Sequence, residues 1–170
     1  YLAAAALEMA NMEKMGVLEP EVVTREEARG RLIRSMMIFR DKTDPDGRRT
    51  KAKARLVALG NFQTEDQYDP ATISAHVPRS DSVRSVAAVA AALQKRLFTM
   101  DISHAFLHAS LEALLYIDLR AEIVALLSDG MRARIAALEL RLKPGQAVFL
   151  RLRKSIYGLK QAAANWMRCA

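Results

Sequence analysis

The chain has 170 residues, 51% of them hydrophobic and 26% charged, which is the composition of a globular domain with one sizeable core and excludes a disordered chain. With 26 Lys and Arg against 19 Asp and Glu, its formal net charge is +7, which favours an acidic partner such as nucleic acid. One cysteine excludes an internal disulfide, and no apolar run approaches the ~20 residues of a membrane span, so we expect a reducing, intracellular compartment and no membrane.

The first part of the chain predicts a helix followed by a β-hairpin. Apolar residues recur with a helical period over residues 1–15, and Gly16 is a typical residue to follow a helix end. Residues 32–39 are apolar, and the Asp-Pro-Asp-Gly sequence of residues 44–47 favours a type I turn. Residues 51–59 then alternate between cationic and apolar side chains, which completes the hairpin.

This alternation places three cations, Lys51, Lys53 and Arg55, on one face of the second strand. Alternate side chains of a strand are about 7 Å apart, which suits successive phosphates of a nucleic acid or of a nucleoside triphosphate. An exposed, solvated strand face is the alternative interpretation.

The middle of the chain predicts a loop, a helix and a buried strand. Residues 61–78 are polar and rich in turn-forming residues. Ser80 and Asp81 are typical helix caps. The apolar residues that follow recur at helical spacing and are Val83, Val86, Ala87, Ala90 and Leu93. Residues 97–102 form a short apolar run, for which we expect a buried strand that ends near Asp101.

The last part predicts two further strands among helices. We expect residues 114–119 and 147–152 to lie in one sheet with residues 97–102. Residues 120–142 are helix-forming, with a break at the Asp-Gly pair, and residues 161–168 should begin another helix. Because strands and helices follow no regular βαβ rhythm, we expect an α+β fold.

Two segments about fifty residues apart in the sequence have side chains suited to the same ligand. Residues 99–108 supply one carboxylate, Asp101, and Mg²⁺ binds through one or two carboxylates together with substrate phosphates. Residues 155–162 contain a Tyr-Gly-Leu-Lys turn, in which Gly158 allows close backbone approach and Lys160 adds a positive charge. Together the two segments indicate nucleotide chemistry.

Three segments resemble motifs of the reverse transcriptases of copia-type retrotransposons. Residues 100–108 are similar to the first palm motif, residues 155–162 to the second, and residues 53–60 to the fingers motif. They occur in the family's order and at about its spacing, and the resemblance extends from about Ala6 to Trp166. It implies a right-hand fingers and palm fold with an incomplete antiparallel palm sheet.

The resemblance also implies roles for individual residues. Asp101 would be the catalytic carboxylate that holds Mg²⁺ between the primer 3′-oxygen and the incoming triphosphate. Arg55 would bind the triphosphate, Lys51 and Lys53 the nucleic acid, and Phe106 would lie under the sugar and exclude a 2′-hydroxyl. The turn under the nascent base pair would comprise Tyr157, Gly158 and Lys160.

Structural interpretations compete with these roles. Asp101 could only cap the helix that follows it, Phe106 could be a core aromatic, and Gly158 could belong to a plain strand-to-helix turn. His104 and His108 are four residues apart, a spacing that can bind zinc, but no third ligand accompanies them in the sequence.

The chain departs from the family's pattern at several positions. Ala109 replaces the usual Gly, and Ala163 and Ala164 replace a Pro and a basic residue. Residues 1–96 would form mainly the fingers and residues 97–170 the first part of the palm, with the Asp-Asp hairpin, the thumb and RNase H absent from this sequence. Because one carboxylate cannot hold two metal ions, we expect this chain alone not to polymerise.

The sequence therefore predicts a fragment of an RNA-directed DNA polymerase from a retrotransposon polyprotein. The intact relative would use an RNA or DNA template-primer, deoxynucleoside triphosphates and Mg²⁺. A non-catalytic nucleic-acid-binding remnant is the second hypothesis, because seven cations and no acidic residue follow Glu139. A basic interaction module with accidental motif matches is the third.

Overall fold

The computed structural model describes residues 1–169, for Thr72 the backbone alone, and it mixes strands and helices as expected for an α+β fold. The strands are β1 (Leu18–Thr24), β2 (Leu32–Thr43), β3 (Arg49–Ala58), β4 (Tyr116–Asp118) and β5 (Gln146–Leu152). The helices are α1 (Leu2–Lys14), α2 (Arg25–Ala28), α3 (Ser80–Ala92), α4 (Ala105–His108), α5 (Ala121–Val124), α6 (Asp129–Glu139) and α7 (Ala162–Cys169). In the described part of the chain, no helix is long and apolar enough to cross a membrane.

The five strands form one mixed sheet in the order β1-β5-β4-β2-β3. The pairs β1–β5, β5–β4 and β2–β3 are antiparallel, whereas β4 and β2 are parallel, with Leu32 opposite Tyr116. The sheet therefore joins strands from both halves of the chain. At its β3 side, the amide of Ala58 donates a 2.8 Å hydrogen bond to the carbonyl oxygen of Tyr157, so the turn after β5 meets the end of β3.

The predicted β-hairpin is confirmed as β2 and β3. Its turn is closed by a 3.0 Å hydrogen bond from the amide of Gly47 to the carbonyl oxygen of Asp44. The Asp44 carboxylate also accepts hydrogen bonds from two amides within the turn, which explains why Asp favours the first turn position. Ala54 and Leu56 are buried, and the cations that alternate with them lie on the more exposed face.

Helix α1 lies along the outer edge of β3. Its buried residues recur at helical spacing and are Ala5, Glu8, Met9 and Met12. The helix ends in a Schellman motif, in which Gly16 has a φ of +66° and the amide of Val17 donates to the carbonyl oxygen of Met12. The helix thereby places Met9 and Met12 in the main core with Leu56 and shields an otherwise open strand edge.

The strands expected at residues 114–119 and 147–152 are confirmed as β4 and β5. The helix-forming stretch that follows β4 is confirmed as α5 and α6, and the last predicted helix as α7. The break predicted at the Asp-Gly pair is wrong, because it lies at residues 125–128 and Asp129 and Gly130 begin α6. The reason is that Ser128 caps α6, with its hydroxyl accepting a 3.1 Å hydrogen bond from the amide of Met131.

The prediction of a strand at residues 97–102 is wrong. The segment has no regular secondary structure, and Phe98 and Met100 are 88% and 86% exposed. In the sheet, β4 pairs with β2 and β5 instead of with this segment. An apolar run becomes a buried strand only where a neighbouring strand completes its hydrogen bonds, and no strand among residues 1–169 does so here.

Helix α3 is confirmed, but its predicted caps and buried face are not. Arg79 is the N-cap residue, and no side chain caps the helix. Of the apolar residues expected in the core, only Ala90 is buried. Asp101 does not cap α4 either, because that helix begins after His104.

Candidate nucleotide site

The structure brings together three of the predicted site residues from three distant segments. The guanidinium carbon of Arg55, on β3, lies 4.9 Å from the centre of the Tyr157 ring. The Tyr157 ring in turn meets the ring of Phe106, at the start of α4, in an edge contact with centroids 5.3 Å apart. A cation above a ring and an edge contact between rings are both favourable. An exposed guanidinium thus lies beside two half-buried aromatic rings.

Gly158 has a structural role at the same place. Its φ is +91°, and a Cβ atom there would overlap the carbonyl oxygen of Ala58 and come within 2.7 Å of the Val57 side chain. Gly60 meets the same turn from the other side, because a Cβ atom on it would overlap the carbonyl oxygen of Gly158. The glycine therefore lets the turn pack directly on the end of β3, which is a reason for its presence that the sequence alone did not indicate.

Asp101 lies in the exposed segment before α4. Burial raises the pKa of the Tyr157 hydroxyl, Arg55 opposes this shift, and the charges of Glu8 and Asp101 add to it. Asp101 also raises the pKa of Lys53, although burial and the neighbouring Arg55 lower that pKa overall. These effects place the Asp101 carboxylate within electrostatic range of Lys53 and Tyr157.

Two of the three cations predicted on this face of β3 line a cavity of about 490 Å³ between α1 and the hairpin. Lys51 is exposed and Lys53 is half-buried, and both line the cavity together with Lys42. The cavity lining also includes one carboxylate, Glu8, and one imidazole, His104. The face predicted to be cationic is therefore partly enclosed by α1 instead of being a plain solvated strand face.

Glu8 is a residue of this site that sequence analysis missed, and His104 was considered there only as a possible zinc ligand. Glu8 is 5% exposed, and one of its carboxylate oxygens lies 3.8 Å from the Nε2 atom of His104. Burial raises the pKa of Glu8, while a backbone hydrogen bond and the nearby cations oppose the shift. A signal was present in the sequence, because Glu8 occupies a core position of α1, where a charged residue is rarely found without a partner.

Lys160 is not brought into this group. Its ammonium donates to the carbonyl oxygen of Gln63 at 3.1 Å and to the hydroxyl of Tyr68 at 3.0 Å, and it lies 4.4 Å from the centre of the Tyr68 ring. The amide of Lys160 also donates to the Gln63 side chain. Lys160 therefore anchors the loop after β3 to the turn that carries Tyr157.

The two histidines of the zinc alternative face different partners. His104 lies beside Glu8, whereas the ring of His108 lies 6.2 Å from the ring of Trp166 and its Nε2 atom is 3.3 Å from the carbonyl oxygen of Ser103. Across residues 1–169, no three His, Cys, Asp or Glu side chains are grouped so that they could hold a metal ion. The carboxylates at the site are thus the exposed Asp101 and the buried Glu8, which belong to no such group and do not fit a two-metal centre.

Part of the basic C-terminal stretch is paired within the molecule. Arg151 donates a 3.0 Å hydrogen bond to Glu21 on β1, and Arg153 pairs with Glu19 on the same strand. Both acidic partners lie opposite β5 in the sheet. The cationic surface therefore lies more on the β3 face than on β5.

Comparisons with known proteins show which family the sequence is similar to. Residues 21–138 match the family model described as "Reverse transcriptase (RNA-dependent DNA polymerase)". The chain is 34% identical over 138 residues to the Ty1-ER2 Gag-Pol polyprotein of Saccharomyces cerevisiae, covering 80% of this chain and 6% of that protein. It is 29% identical over 136 residues to the retrovirus-related Pol polyprotein from transposon TNT 1-94 of Nicotiana tabacum, covering 80% of this chain and 9% of that protein. No solved structure matches the chain significantly.

Proposed function

Because this chain belongs to the reverse transcriptase (RNA-dependent DNA polymerase) family, we propose that it forms the fingers and the first part of the palm of a copia-type retrotransposon polymerase. The two relatives named above are a Gag-Pol polyprotein and a retrovirus-related Pol polyprotein, and the chain spans less than a tenth of the length of each. In the intact protein the reaction would be templated transfer of deoxynucleotides to a primer 3′-hydroxyl.

The meeting of Arg55, Tyr157 and Phe106 is the observation that carries this proposal. A guanidinium can bind two phosphate oxygens at once, and aromatic rings provide flat surfaces for a sugar and a base. We assign the triphosphate to Arg55, the sugar to Phe106 and the nascent base pair to the turn of Tyr157 and Gly158. Lys160 supports this turn through its contacts with the loop after β3.

The family uses divalent metal ions, and Mg²⁺ is the ion we propose for the intact enzyme, with Asp101 as one of its ligands. In-line displacement at a two-metal site needs carboxylates that bridge both ions. Among the described residues Asp101 belongs to no group of three or more possible metal ligands, so they do not fit such a centre. We therefore propose that residues 1–170 alone bind nucleotide without catalysing its transfer.

Nucleotide binding to the isolated chain tests the proposal. Titration calorimetry with the deoxynucleotide dTTP should show binding that Arg55→Ala weakens about tenfold, the equivalent of about 1.4 kcal/mol for one charge-assisted contact. Arg141→Ala removes an exposed cation outside the group and is the matched control. An equal loss of dTTP affinity in the two variants would mean that general charge attraction accounts for the binding. It would contradict the assignment of the triphosphate to Arg55.

A nucleic-acid-binding remnant is the second candidate, and the net charge of +7 together with the cations on β3 favours it. We propose that Lys51 and Lys53 contact phosphates of a template strand. This function requires no nucleotide pocket. Binding of oligonucleotides without measurable binding of dTTP would favour the remnant over the polymerase fragment.

A further inference from the structure

Glu8 connects two sides of the candidate nucleotide site. One carboxylate oxygen accepts a 3.3 Å hydrogen bond from the amide of Leu56, on the outer edge of β3. The other lies 3.8 Å from the Nε2 atom of His104, in the turn before α4. The carboxylate is thus shared between the strand that carries Arg55 and the turn that leads to Phe106.

His104 holds this turn in an unusual backbone conformation. Its φ and ψ are 56° and 38°, in the left-handed region that residues other than glycine seldom adopt. It follows Asp101 by three residues and precedes Phe106 by two. The direction in which the chain leaves Asp101 and presents the Phe106 ring therefore depends on the His104 backbone, and a strained residue needs surrounding contacts to keep it in place.

Ionisable groups from three neighbouring segments interact electrostatically with Glu8. His104 comes from the turn before α4, Lys53 and Arg55 from β3, and the Tyr157 hydroxyl from the turn after β5. Glu8 itself is buried, with its side chain 5% exposed. A single charge therefore acts on cations and rings from three separate segments.

We propose that Glu8 is a positioning residue for the nucleotide site, which sets the turn from Asp101 to Phe106 against β3 through its contacts with His104 and Leu56. This inference rests on the proposed function, because it concerns the same site. Because Glu8 is 5% exposed, it would act through the residues that contact the nucleotide. The competing explanation is that Glu8 only satisfies the open amide of Leu56 at the strand edge.

Glu8→Gln separates the two explanations. An amide oxygen can still accept the hydrogen bond from Leu56, whereas the second carboxylate oxygen, 3.8 Å from the Nε2 atom of His104, is replaced by an amide nitrogen. Glu26→Gln, at an exposed carboxylate on α2, is the matched control for a change of one charge. His104→Gln removes the contact from the other side, so the inference can be tested even where a change at Glu8 impairs folding.

Backbone NMR of the chain provides a measurement that needs no ligand. In Glu8→Gln, hydrogen exchange of the Leu56 amide should stay as slow as in the wild type, while the amide resonances of residues 101–106 shift. His104→Gln should shift the same resonances. Unchanged resonances at 101–106 in Glu8→Gln would show that Glu8 only caps the strand edge and would overturn the inference.

Binding of dTTP and of inorganic tripolyphosphate provides the functional measurement. Loss of a negative charge beside Lys53 and Arg55 should strengthen both interactions, so the ratio of the two dissociation constants cancels that effect. If Glu8 positions Phe106 and Tyr157 for the nucleoside, the preference for dTTP should fall about two- to fivefold in Glu8→Gln, as for loss of a partly buried pair. An unchanged ratio would overturn the inference.

The two proposals fail in distinguishable ways. Equal affinity of the wild-type chain for dTTP and tripolyphosphate would contradict the proposed nucleoside site. The resonances of residues 101–106 in Glu8→Gln would still decide whether Glu8 positions the turn, since they are measured without nucleotide.

Discussion

The backbone of Gly158 packs directly on the carbonyl oxygen of Ala58, in a conformation with φ of +91° that leaves no room for a Cβ atom. The amide of Ala58 donates to the carbonyl oxygen of the preceding residue, Tyr157, at 2.8 Å. The turn after β5 therefore packs on the end of β3 and is hydrogen-bonded to it. These contacts position the Tyr157 ring under Arg55.

Gly158→Ala should therefore lower the free energy of unfolding by about 3 kcal/mol, since it combines backbone strain with overpacking. Gly145→Ala is the matched control, because Gly145 has a φ of +84° but no atom within 4 Å of a Cβ atom. We expect the control to cost about 1 kcal/mol. Urea denaturation measures both values, and equal losses would mean that the contact with Ala58 contributes nothing.

The cationic face of β3 should dominate binding to nucleic acid. Each phosphate contact contributes a salt slope of about −0.7 to −0.9, so replacing Lys51, Lys53 and Arg55 by Ala should flatten the slope by roughly two to three contacts. Fluorescence anisotropy with a labelled oligonucleotide at several salt concentrations measures this. A control variant changes three exposed cations near α6, namely Arg134, Arg141 and Lys143. An identical flattening in the control would contradict a special role for β3.

Phe106 should control the choice of sugar in an active polymerase that contains this segment. Phe106→Ala should admit ribonucleotides, because it opens space for the 2′-hydroxyl beside the Tyr157 ring. Phe106→Tyr keeps the ring and should retain discrimination. Primer extension with deoxynucleotides and ribonucleotides in parallel gives the ratio. If Phe106→Ala leaves the ratio unchanged, the ring serves only to pack against Tyr157.

The isolated chain of 170 residues should show no primer extension with any divalent ion, because among the described residues Asp101 belongs to no group of side chains that could hold two metal ions. Supplied with the Asp-Asp hairpin and thumb of the family, the segment should lose any activity in Asp101→Asn, since an amide keeps the shape but not the charge that holds a metal ion. Extension by the purified chain that survives Asp101→Asn would contradict the assignment.

Glu8 should make the stability of the fold depend on pH. Burial raises the pKa of Glu8 in the folded state above the ordinary value of 4.5. At pH values between 4.5 and the folded-state pKa, the folded state therefore binds more protons than the unfolded state. The contribution of Glu8 to stability is then fully present below pH 4.5 and is lost as pH rises through the folded-state pKa.

Urea denaturation at a series of pH values tests this dependence on Glu8. The decline in the free energy of unfolding between pH 4.5 and the folded-state pKa of Glu8 should disappear in Glu8→Gln and persist in the control Glu26→Gln. A decline that persists in Glu8→Gln would assign the titration to another group.

The failed prediction of a strand at residues 97–102 shows that a sequence pattern alone is not sufficient to predict a buried strand. The short apolar run is a valid strand signal, yet Phe98 and Met100 are exposed and no neighbouring strand among the described residues pairs with it. Periodicity reports only which side chains could share a face, whereas burial requires a partner. The exposed apolar face of α3 has the same explanation, because only Ala90 is buried there.

The sequence by itself determined the features that depend on near neighbours. The hairpin of β2 and β3 follows from alternation and a local turn, the end of α1 follows from Gly16, and the family follows from three short motifs in order. These patterns act over a few residues, so they can be recognised without knowing what lies across the molecule.

Only the tertiary structure decided which distant residues meet. It placed Arg55 over Tyr157, directed Lys160 to Tyr68 and away from the site, and brought a buried Glu8 between β3 and His104. Contacts between residues 48 to 102 positions apart depend on how the sheet joins the two halves of the chain, and local spacing carries no information about that pairing.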